Sequence, residues 1–456
     1  MSKERVSANL LASAVRWGSY LLILLPGILS IAYVHQFGVN VIFRDQWEMV
    51  SKFGLLSAGT LSFWELWEPH NVHRFLFPRI AMLALGTITE WNSVAEMYLI
   101  LLCLFVTLGV LWLAFGTGYR WGPLLFVPVA FMVFTLNQSE NMLWGYQITF
   151  AFTQTFSVLA LYLLHLSGRG GKWQFAVPVA LASGIVAAFS AIQGLLVWPA
   201  GLLQILISPL ERRAKRVLAA AWSLTGIVVW VVFFVDYEPR GEATSSPFGL
   251  LTNPAAGAER FLSLLGNSLF LGNPLFGQRA FALANGLLLV GLAVVGLRLV
   301  YKDRKLGRYS FWVSLLAFSF LVLLSITAGR NESQVMAERF VTFSILVTIS
   351  VYIVLAKLWT ERKTRITSAL LGVLLMVVLL NIPLSYKMGI EEGAQTKMER
   401  EEEALVLYTY ESQSVEDLRI LRRQNPESVR QLAPILENRG YNAFSESRTR
   451  AEITKD

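Results

Sequence analysis

The amino-acid sequence predicts an all-α membrane protein with about eleven transmembrane helices, each formed by an apolar run of roughly 20 residues. Of the 456 residues, 55% are hydrophobic and only 15% are charged. Such a composition is unlike that of an ordinary soluble domain. The apolar runs are continuous and do not alternate in polarity over short segments, which argues against a transmembrane β-barrel.

The predicted spans are separated by short polar loops. They cover residues 17–36, 93–115, 122–136, 148–166, 174–190, 194–208, 217–235, 280–300, 311–328, 340–358 and 366–385. The first run follows a basic leader, but it is too long for the apolar core of a signal peptide. We therefore expect the protein to retain it as a span.

One short apolar segment decides how the rest of the chain is oriented. The segment from Phe75 to Thr89 carries Pro78 and Arg79, and at 1.5 Å per residue it is too short to cross about 30 Å of hydrocarbon. We therefore expect an amphipathic helix on the membrane surface. Every dense basic loop then falls on one side, which the positive-inside rule makes cytoplasmic. These loops include residues 211–216, 301–308 and 360–365.

This orientation divides the chain into two predicted domains. Residues 1–385 form a transmembrane domain whose amino terminus is cytoplasmic. Residues 386–456 are more polar and are expected to form a small, soluble, extracytoplasmic helical tail. One short helix of the tail should be capped by Ser414. A second should open at Asn425, with Pro426 at its first helical position, and end just before Gly440. The net charge of +8 is explained by orientation signals, so nucleic acid is not an expected partner.

The first extracytoplasmic loop, at residues 38–92, holds the strongest candidates for chemistry. Asp45 and Glu48 stand three residues apart in the run RDQWE. On a helix both carboxylates project from one face, where they could share a substrate or a divalent cation. Arg44 stands beside them and is counted among the substrate-binding residues. The alternative interpretation is that these residues anchor a surface helix at the membrane interface.

The run EPHNVHR adds cationic groups to the same loop. His70, His73 and Arg74 offer imidazole and guanidinium groups suited to phosphate, and Asn71 is a further substrate-binding candidate. Carboxylates beside such cations suggest a site that deprotonates one group while it stabilises a departing phosphate. Zinc binding by the two histidines lacks an evident third ligand. Cys103 is the single cysteine, so a metal site built from thiolates is excluded as well. The residues therefore identify no metal.

Two later loops are expected on the same face. Arg330, Glu332 and Arg339 crowd between two spans, and ionisable groups at a membrane edge are costly unless they face a cavity or pair with each other. A structural ion pair is the competing interpretation. In the run QSENMLWGYQ, Glu140 and Gln147 accompany aromatic residues, a combination that suits sugar binding. An interfacial aromatic belt has a similar pattern.

These motifs resemble those of the GT-C superfamily of integral-membrane glycosyltransferases. RDQWE stands where that superfamily has its acidic motif after the first span, and PHNVHRFLFPR is similar to a following segment that contacts the donor phosphate. The adjacent acidic pair of many members is absent here. The resemblance implies a multi-pass enzyme of the bacterial inner membrane. It would move a sugar from a polyprenyl-phosphate donor in the membrane lipid to a hydroxyl of a cell-envelope glycan or lipid acceptor.

The resemblance also implies roles for individual residues. Asp45 would be the catalytic base and Glu48 its acidic companion. The residues implied to bind the donor phosphate are His70, His73, Arg74 and Arg330. The resemblance implies no cofactor, and a divalent cation at Asp45 and Glu48 is the one candidate from the residues.

Other classes of function fit parts of the sequence. An O-antigen-type polysaccharide polymerase or ligase uses arginines in outer loops, and the run GRNESQ could serve it. A transporter or flippase for lipid-linked saccharides should carry ionisable residues at mid-membrane and paired broken helices, of which only the short SAIQG break is apparent. A non-enzymatic assembly partner should tolerate substitution of all these polar residues.

Overall fold

The computed structural model describes residues 3–116, 121–167, 173–238, 253–269, 278–330, 337–423 and 425–445. Over these ranges the chain is built from α-helices and short 3-10 helices, with one isolated backbone bridge between His70 and His73. The α-helices are α1 (Lys3–Phe37), α2 (Trp47–Ala58), α3 (Phe63–Trp67), α4 (Leu76–Thr89), α5 (Ser93–Phe115), α6 (Gly122–Val133), α7 (Ser139–Met142), α8 (Ile148–Ser167), α9 (Trp173–Ala188), α10 (Val197–Ile207), α11 (Arg212–Phe234), α12 (Pro254–Gly266), α13 (Gln278–Lys302), α14 (Ser310–Gly329), α15 (Val341–Arg362), α16 (Arg365–Tyr408) and α17 (Val429–Arg439).

Within the described ranges, nine helical segments are long and apolar enough to cross a membrane. They are Ala12–Phe37, Ser93–Phe115, Gly122–Met142, Gly145–Ser167, Arg212–Phe234, Arg279–Lys302, Ser310–Gly329, Glu338–Arg362 and Arg365–Tyr408. These segments correspond to nine of the predicted spans. The prediction of a polytopic helical protein is therefore confirmed. The predicted count of eleven spans is not confirmed, because nine of the described helical segments meet the requirements of length and composition.

The other two predicted spans, residues 174–190 and 194–208, are shorter helices. α9 has 16 residues and covers about 24 Å, less than a hydrocarbon core of about 30 Å. The chain then reverses at Gly194, where a Cβ atom would lie 1.9 Å from the carbonyl oxygen of Ala187. The two helices could each cross the membrane, or together they could form one re-entrant hairpin. In both arrangements the chain returns to the side on which it started. The later helices therefore keep the same orientation in either case.

The core of the helical bundle is α15, which is buried on all sides from Val341 to Leu358. It packs against α13, α14 and α16. Polar groups on α15 are satisfied inside the bundle, since the Thr342 hydroxyl lies 2.7 Å from the Gln138 side-chain oxygen. By contrast, α11 leaves apolar residues such as Leu224 and Ile227 exposed. That distribution is typical of a peripheral helix in contact with lipid.

The short helix α4 lies along α2 and does not cross the bundle. Arg79, in its first turn, pairs with Glu48 at the start of α2. Trp91, just beyond its last turn, packs on Phe53 of α2 with 4.2 Å between the ring centroids. Since both ends of α4 contact one 12-residue helix, they lie at the same end of the bundle.

The polar loops gather at this end, and basic loops gather at the other. Glu140 lies 3.5 Å from Arg44 and 3.2 Å from Arg339, which joins three separate loops. We call this the site end. At the opposite end, Lys305 pairs with Glu361 at 2.8 Å, so the loops after α13 and α15 meet there.

The last span continues without a break through the predicted domain boundary at residue 385. α16 has 44 residues, because the chain becomes polar there while it keeps residues that favour helix, such as the run MEREEEAL. Residues 386–408 therefore belong to the same helix as the span. Beyond it, Ser414 caps the turn Asp417–Ile420, and α17 ends at Gly440 in the left-handed conformation.

The tail is attached to the first loop through Asn442, which is fully buried. Its side-chain amide donates to the Ser93 hydroxyl at 2.8 Å and to the Trp91 carbonyl at 3.2 Å. The Asn40 amide in turn donates to the Asn442 carbonyl at 3.0 Å. These bonds hold both ends of the first loop against the tail.

Candidate functional site

A cavity of about 210 Å³ lies at the site end. It is lined by Arg44, Asp45, His70, Asn71, His73, Phe75, Trp144, Tyr146, Gln147, Thr149, Phe150, Arg330 and Arg339. The fold thus brings together eight of the predicted site residues from three distant loops. Glu48 and Glu140 stand behind this lining, Arg74 points elsewhere, and Glu332 lies outside the described residues.

Asp45 is the carboxylate that faces this cavity among its described lining residues. It sits in the one-turn helix Arg44–Gln46, which begins with Arg44 in the left-handed conformation (φ 46°). Gln46 fixes this turn, because its side-chain amide donates to buried Glu96 at 2.7 Å. The Asp45 side chain keeps 44% of its surface exposed and lies 3.8 Å from His70 Nε2. It is thus held in place while it stays open to a ligand.

Glu48 is the centre of a buried network of hydrogen bonds. One carboxylate oxygen pairs with Arg79 and with Lys52, the latter at 3.1 Å. The other accepts from His70 Nδ1 and from the Tyr146 hydroxyl, the latter at 3.0 Å. Although burial opposes ionisation, the hydrogen bond to His70 and the charges of Arg79, His70 and Lys52 bring the pKa of Glu48 well below its usual range. A carboxylate with four donors is a fixed anion that orients its neighbours.

His70 connects this network to Asp45. Burial favours the neutral imidazole, yet the nearby carboxylate of Asp45 and the hydrogen bond and negative charge of Glu48 prevail and raise the pKa of His70 to about 9. The ring is therefore an imidazolium at neutral pH. Its Nδ1 faces Glu48 and its Nε2 faces Asp45. The cavity gains a positive charge that is fixed in position.

His73 is neutral, in contrast to His70. Burial, and then the charges of Arg330 and His70, lower the pKa of His73 to about 3. Its Nδ1 accepts a hydrogen bond from the Ile192 amide at 3.2 Å, so the ring proton lies on Nε2. The predicted phosphate-binding role relied on a cation, whereas this ring can offer only one neutral N–H.

Arg74 does not line the cavity. Its Nε donates to the Phe233 carbonyl at 2.8 Å and its Nη2 to the Val235 carbonyl at 2.6 Å. Its Nη1 donates to the Trp67 carbonyl at 2.8 Å, and the guanidinium stacks on that indole ring. All three nitrogens thus bind main-chain carbonyls, two of them at the carboxyl end of α11. A cation there satisfies the terminal carbonyls and the helix dipole.

Two arginines from the later loop supply positive charge to the cavity instead. Arg339 pairs with Glu140, which also pairs with Arg44. The guanidinium of Arg330 forms no hydrogen bond or ion pair with the residues that the structure describes. Burial and the nearby charge of Arg339 lower the pKa of Arg330, while Asp45 partly opposes this. Such a crowding of like charges favours an anionic ligand.

Neutral polar groups complete the cavity wall. Gln147 and Thr149 are each 3% exposed, and both line the cavity. The side chains of both lack a hydrogen-bond partner among the described residues. Gly145 brings this segment close to α5, since a Cβ atom there would lie 2.1 Å from the Glu96 carboxylate. The glycine therefore sets the position of the residues that follow it.

No group of three His, Cys, Asp or Glu residues in the described part of the chain is arranged to hold a metal ion. The two histidines differ in charge and orientation. The oxygens of Glu48 are occupied by protein donors, whereas Asp45 faces the cavity.

The sequence prediction did not assign a role to Lys52, Arg79 or Thr149. Arg79 is fully buried and binds Glu48 together with the carbonyls of Leu66 and Glu68. A charge inside the apolar run LFPRIAML signals such a buried partner. Thr149 gives no comparable signal, because threonine is common in apolar helices.

The fold and the cavity define a polytopic helical membrane protein with a cation-rich polar cavity at one end of the bundle. Comparisons with models of protein families, with curated proteins and with solved structures find no match for this chain.

Proposed function

We propose that this protein is a membrane glycosyltransferase that moves a sugar from a polyprenyl-phosphate donor to an acceptor hydroxyl at the site end. The observation that carries the proposal is an exposed carboxylate, Asp45, in a cavity shared with His70, Arg330 and Arg339. Glycosyl transfer from a lipid phosphate needs both a base and a site for the departing phosphate.

In this mechanism Asp45 removes the proton of the acceptor hydroxyl. The acceptor oxygen forms a bond with the anomeric carbon as the bond from that carbon to the phosphate oxygen breaks, and the lipid phosphate leaves with the electron pair. The anomeric configuration is inverted. Arg330, Arg339 and protonated His70 neutralise the negative charge on the leaving group. We assign no direct chemical role to Glu48, which holds His70 beside Asp45.

This assignment changes the roles expected for two residues. Arg74 binds carbonyls away from the cavity, so its role is to stabilise the fold. His73 is neutral, so it contributes a hydrogen bond and no charge. In cellular terms we propose a multi-pass protein of the bacterial inner membrane with the site end outside. The support for that orientation is the gathering of basic loops at the other end.

The decisive experiment is the substitution Asp45→Asn in purified protein. Radiolabelled prenyl-phosphate sugars would be supplied with cell-envelope extract as the source of acceptor, and incorporation of label would be measured. Loss of the base should reduce transfer by roughly 10²- to 10⁴-fold. The amide preserves the size of the side chain, so the yield of folded protein should be unchanged.

Glu402→Gln is a matched control, since Glu402 is an exposed carboxylate on α16 and its substitution should leave transfer intact. Wild-type transfer by the Asp45→Asn protein would overturn the assignment of the base.

A polysaccharide polymerase or ligase is the second candidate. The observation that favours it is the guanidinium of Arg330, which lies near Arg339 and has no hydrogen bond or ion pair with the described residues, because arginines in outer loops could act on a lipid diphosphate without a carboxylate base. Transfer that requires Arg330 but not Asp45 would support this alternative.

A further inference from the structure

The cavity lining includes two chemically distinct sets of side chains. One set is cationic and includes His70, Arg330 and Arg339. The other is neutral and consists of His73, Gln147 and Thr149, whose side chains are at least 96% buried, with exposed fractions of 4%, 3% and 3%. Burial of uncharged polar groups costs free energy unless a partner satisfies them. The cationic side chains suit a phosphate, whereas the neutral side chains carry no charge that would compensate one.

We infer that His73, Gln147 and Thr149 bind the hydroxyl groups of a single uncharged sugar ring and select the donor by them. This inference rests on the proposed function and specifies the substrate class of its site.

The hydrogen-bonding capacities of the three residues support this inference. His73 offers one donor, the Nε2–H, because Nδ1 already accepts from Ile192. Gln147 offers an amide with both donor and acceptor atoms, and the Thr149 hydroxyl can act as either. A ring with several hydroxyls matches this mixed set. A carboxylate or sulfate on the ring would not match this set, because it offers only hydrogen-bond acceptors. The three side chains include acceptor atoms, which need donors.

The cavity has room for about one sugar ring. A cavity of 150 Å³ accommodates benzene in a protein interior, and the present cavity measures about 210 Å³. A disaccharide needs about twice the space of one ring. We therefore expect a donor that carries a monosaccharide, with its phosphate towards Arg330 and its hydroxyls towards Gln147.

Binding measurements can test this inference separately from transfer. The probes are a short-chain prenyl phosphate and the same compound linked to a hexose, titrated by calorimetry into protein in lipid nanodiscs. In the wild type the hexose should strengthen binding at least tenfold over the bare phosphate. In Gln147→Met and in Thr149→Val, substitutions that keep size but remove hydrogen bonds, the advantage of the hexose should fall several-fold while binding of the bare phosphate is unchanged.

Gln204→Met is the matched control, since Gln204 is a buried glutamine at the opposite end of the bundle. This substitution should leave both affinities as in the wild type. An unchanged advantage of the hexose in the Gln147 and Thr149 variants would overturn the inference even if transfer depends on Asp45. Conversely, the variants could lose the tighter binding of the hexose compound while the Asp45→Asn protein still transfers sugar at the wild-type rate. That result would support the sugar site and reject the proposed reaction. Binding of neither probe would overturn both.

A charged sugar provides a second test that needs no variant. The prenyl phosphate linked to the corresponding uronic acid should bind at least tenfold more weakly than the hexose compound. Equal or tighter binding of the uronic acid compound would contradict selection for an uncharged ring.

Discussion

At the scale of single residues, the site depends on how charges are paired. Glu48 and Asp45 stand three positions apart, yet one is fixed by four donors and the other faces the cavity. The difference arises from Arg79, Lys52 and Tyr146, which approach Glu48 from other segments. A carboxylate that is fully hydrogen-bonded has no free oxygen to accept a proton from a substrate, so of these two carboxylates Asp45 is the one suited to the proposed role of base.

Substitution of Glu48 should affect stability more than chemistry. Glu48→Gln removes the charge that compensates Arg79, which is fully buried. Loss of one partner of a buried ion pair costs about 3–5 kcal/mol. Thermal unfolding of the purified variant should therefore occur well below the wild-type temperature. Glu65→Gln is the control, because Glu65 is half-buried and, among the described residues, accepts hydrogen bonds from the nearby Ser62 cap and not from a buried cation. A wild-type melting temperature for Glu48→Gln would contradict the network.

The affinity for prenyl phosphate should depend on the protonation of His70. Since the folded pKa is raised, the stabilising interactions of the imidazolium are fully present below the ordinary value of 6.5 and are lost as pH rises through about 9. Well above the second pKa of the phosphate, about 6, affinity should stay constant and then fall roughly tenfold or more above about pH 9, because a charge-assisted hydrogen bond contributes about 1.5–3 kcal/mol. Titrations by calorimetry at several pH values would measure this. In His70→Gln the step should disappear, and a step that persists there would assign it to another group.

At the scale of elements, a cation of the first loop stabilises the end of a distant helix. Arg74 donates to the carbonyls of Phe233 and Val235 at the end of α11. The last four carbonyls of a helix have no partner within it. In addition, α11 lies at the periphery of the helical bundle. Arg74 therefore joins the first loop to the bundle.

Two arginine substitutions should separate fold from binding. Arg74→Ala removes several hydrogen bonds to carbonyls and should destabilise the protein by about 3 kcal/mol, while the affinity for prenyl phosphate is nearly unchanged. Arg330→Ala should leave thermal stability near the wild-type value and weaken prenyl phosphate binding tenfold or more. Melting curves and calorimetric titrations of both variants would measure these effects. The opposite pattern would restore Arg74 to the phosphate site.

At the scale of the whole molecule, the bundle has two unlike ends. The first loop, the α7 region, the loop before α15 and the tail meet at the site end, where Arg44, Glu140 and Arg339 pair. The opposite end carries the basic loops. This separation makes the sidedness of the protein measurable with few labels.

Cysteine labelling should place the site end on one side of the membrane. In a Cys103→Ala background, cysteines at Asn71, Gln395 and Lys302 provide exposed positions. A membrane-impermeant maleimide added to intact spheroplasts should label Asn71→Cys and Gln395→Cys but not Lys302→Cys, because the first two lie at the site end. Permeabilised cells, in which all three react, are the control. Labelling of Asn71→Cys and Gln395→Cys from opposite sides would contradict the fold.

The sequence was sufficient to predict the helical membrane class and most of the spans, and it named eight of the residues that the structure gathers around one cavity. The predictions succeed for these features because each depends on local properties, namely the length of apolar runs and the placement of charges. Local reasoning did not show that the helix of the last span continues past residue 385 to Tyr408, because a change in polarity does not end a helix. It also did not show that the helices on either side of Gly194 are shorter than a full span, since hydropathy is insensitive to a small shortfall in length.

The sequence by itself determined that this protein is helical and embedded in a membrane, and that Asp45 and its cationic neighbours are candidates for chemistry. Only the tertiary structure decided which of them meet. It brought Arg330 and Gln147 to Asp45, turned Arg74 towards α11 and gave the two histidines opposite charge states. The physical reason is that burial and partner charges, which set the state of an ionisable group, come from residues far apart in the chain.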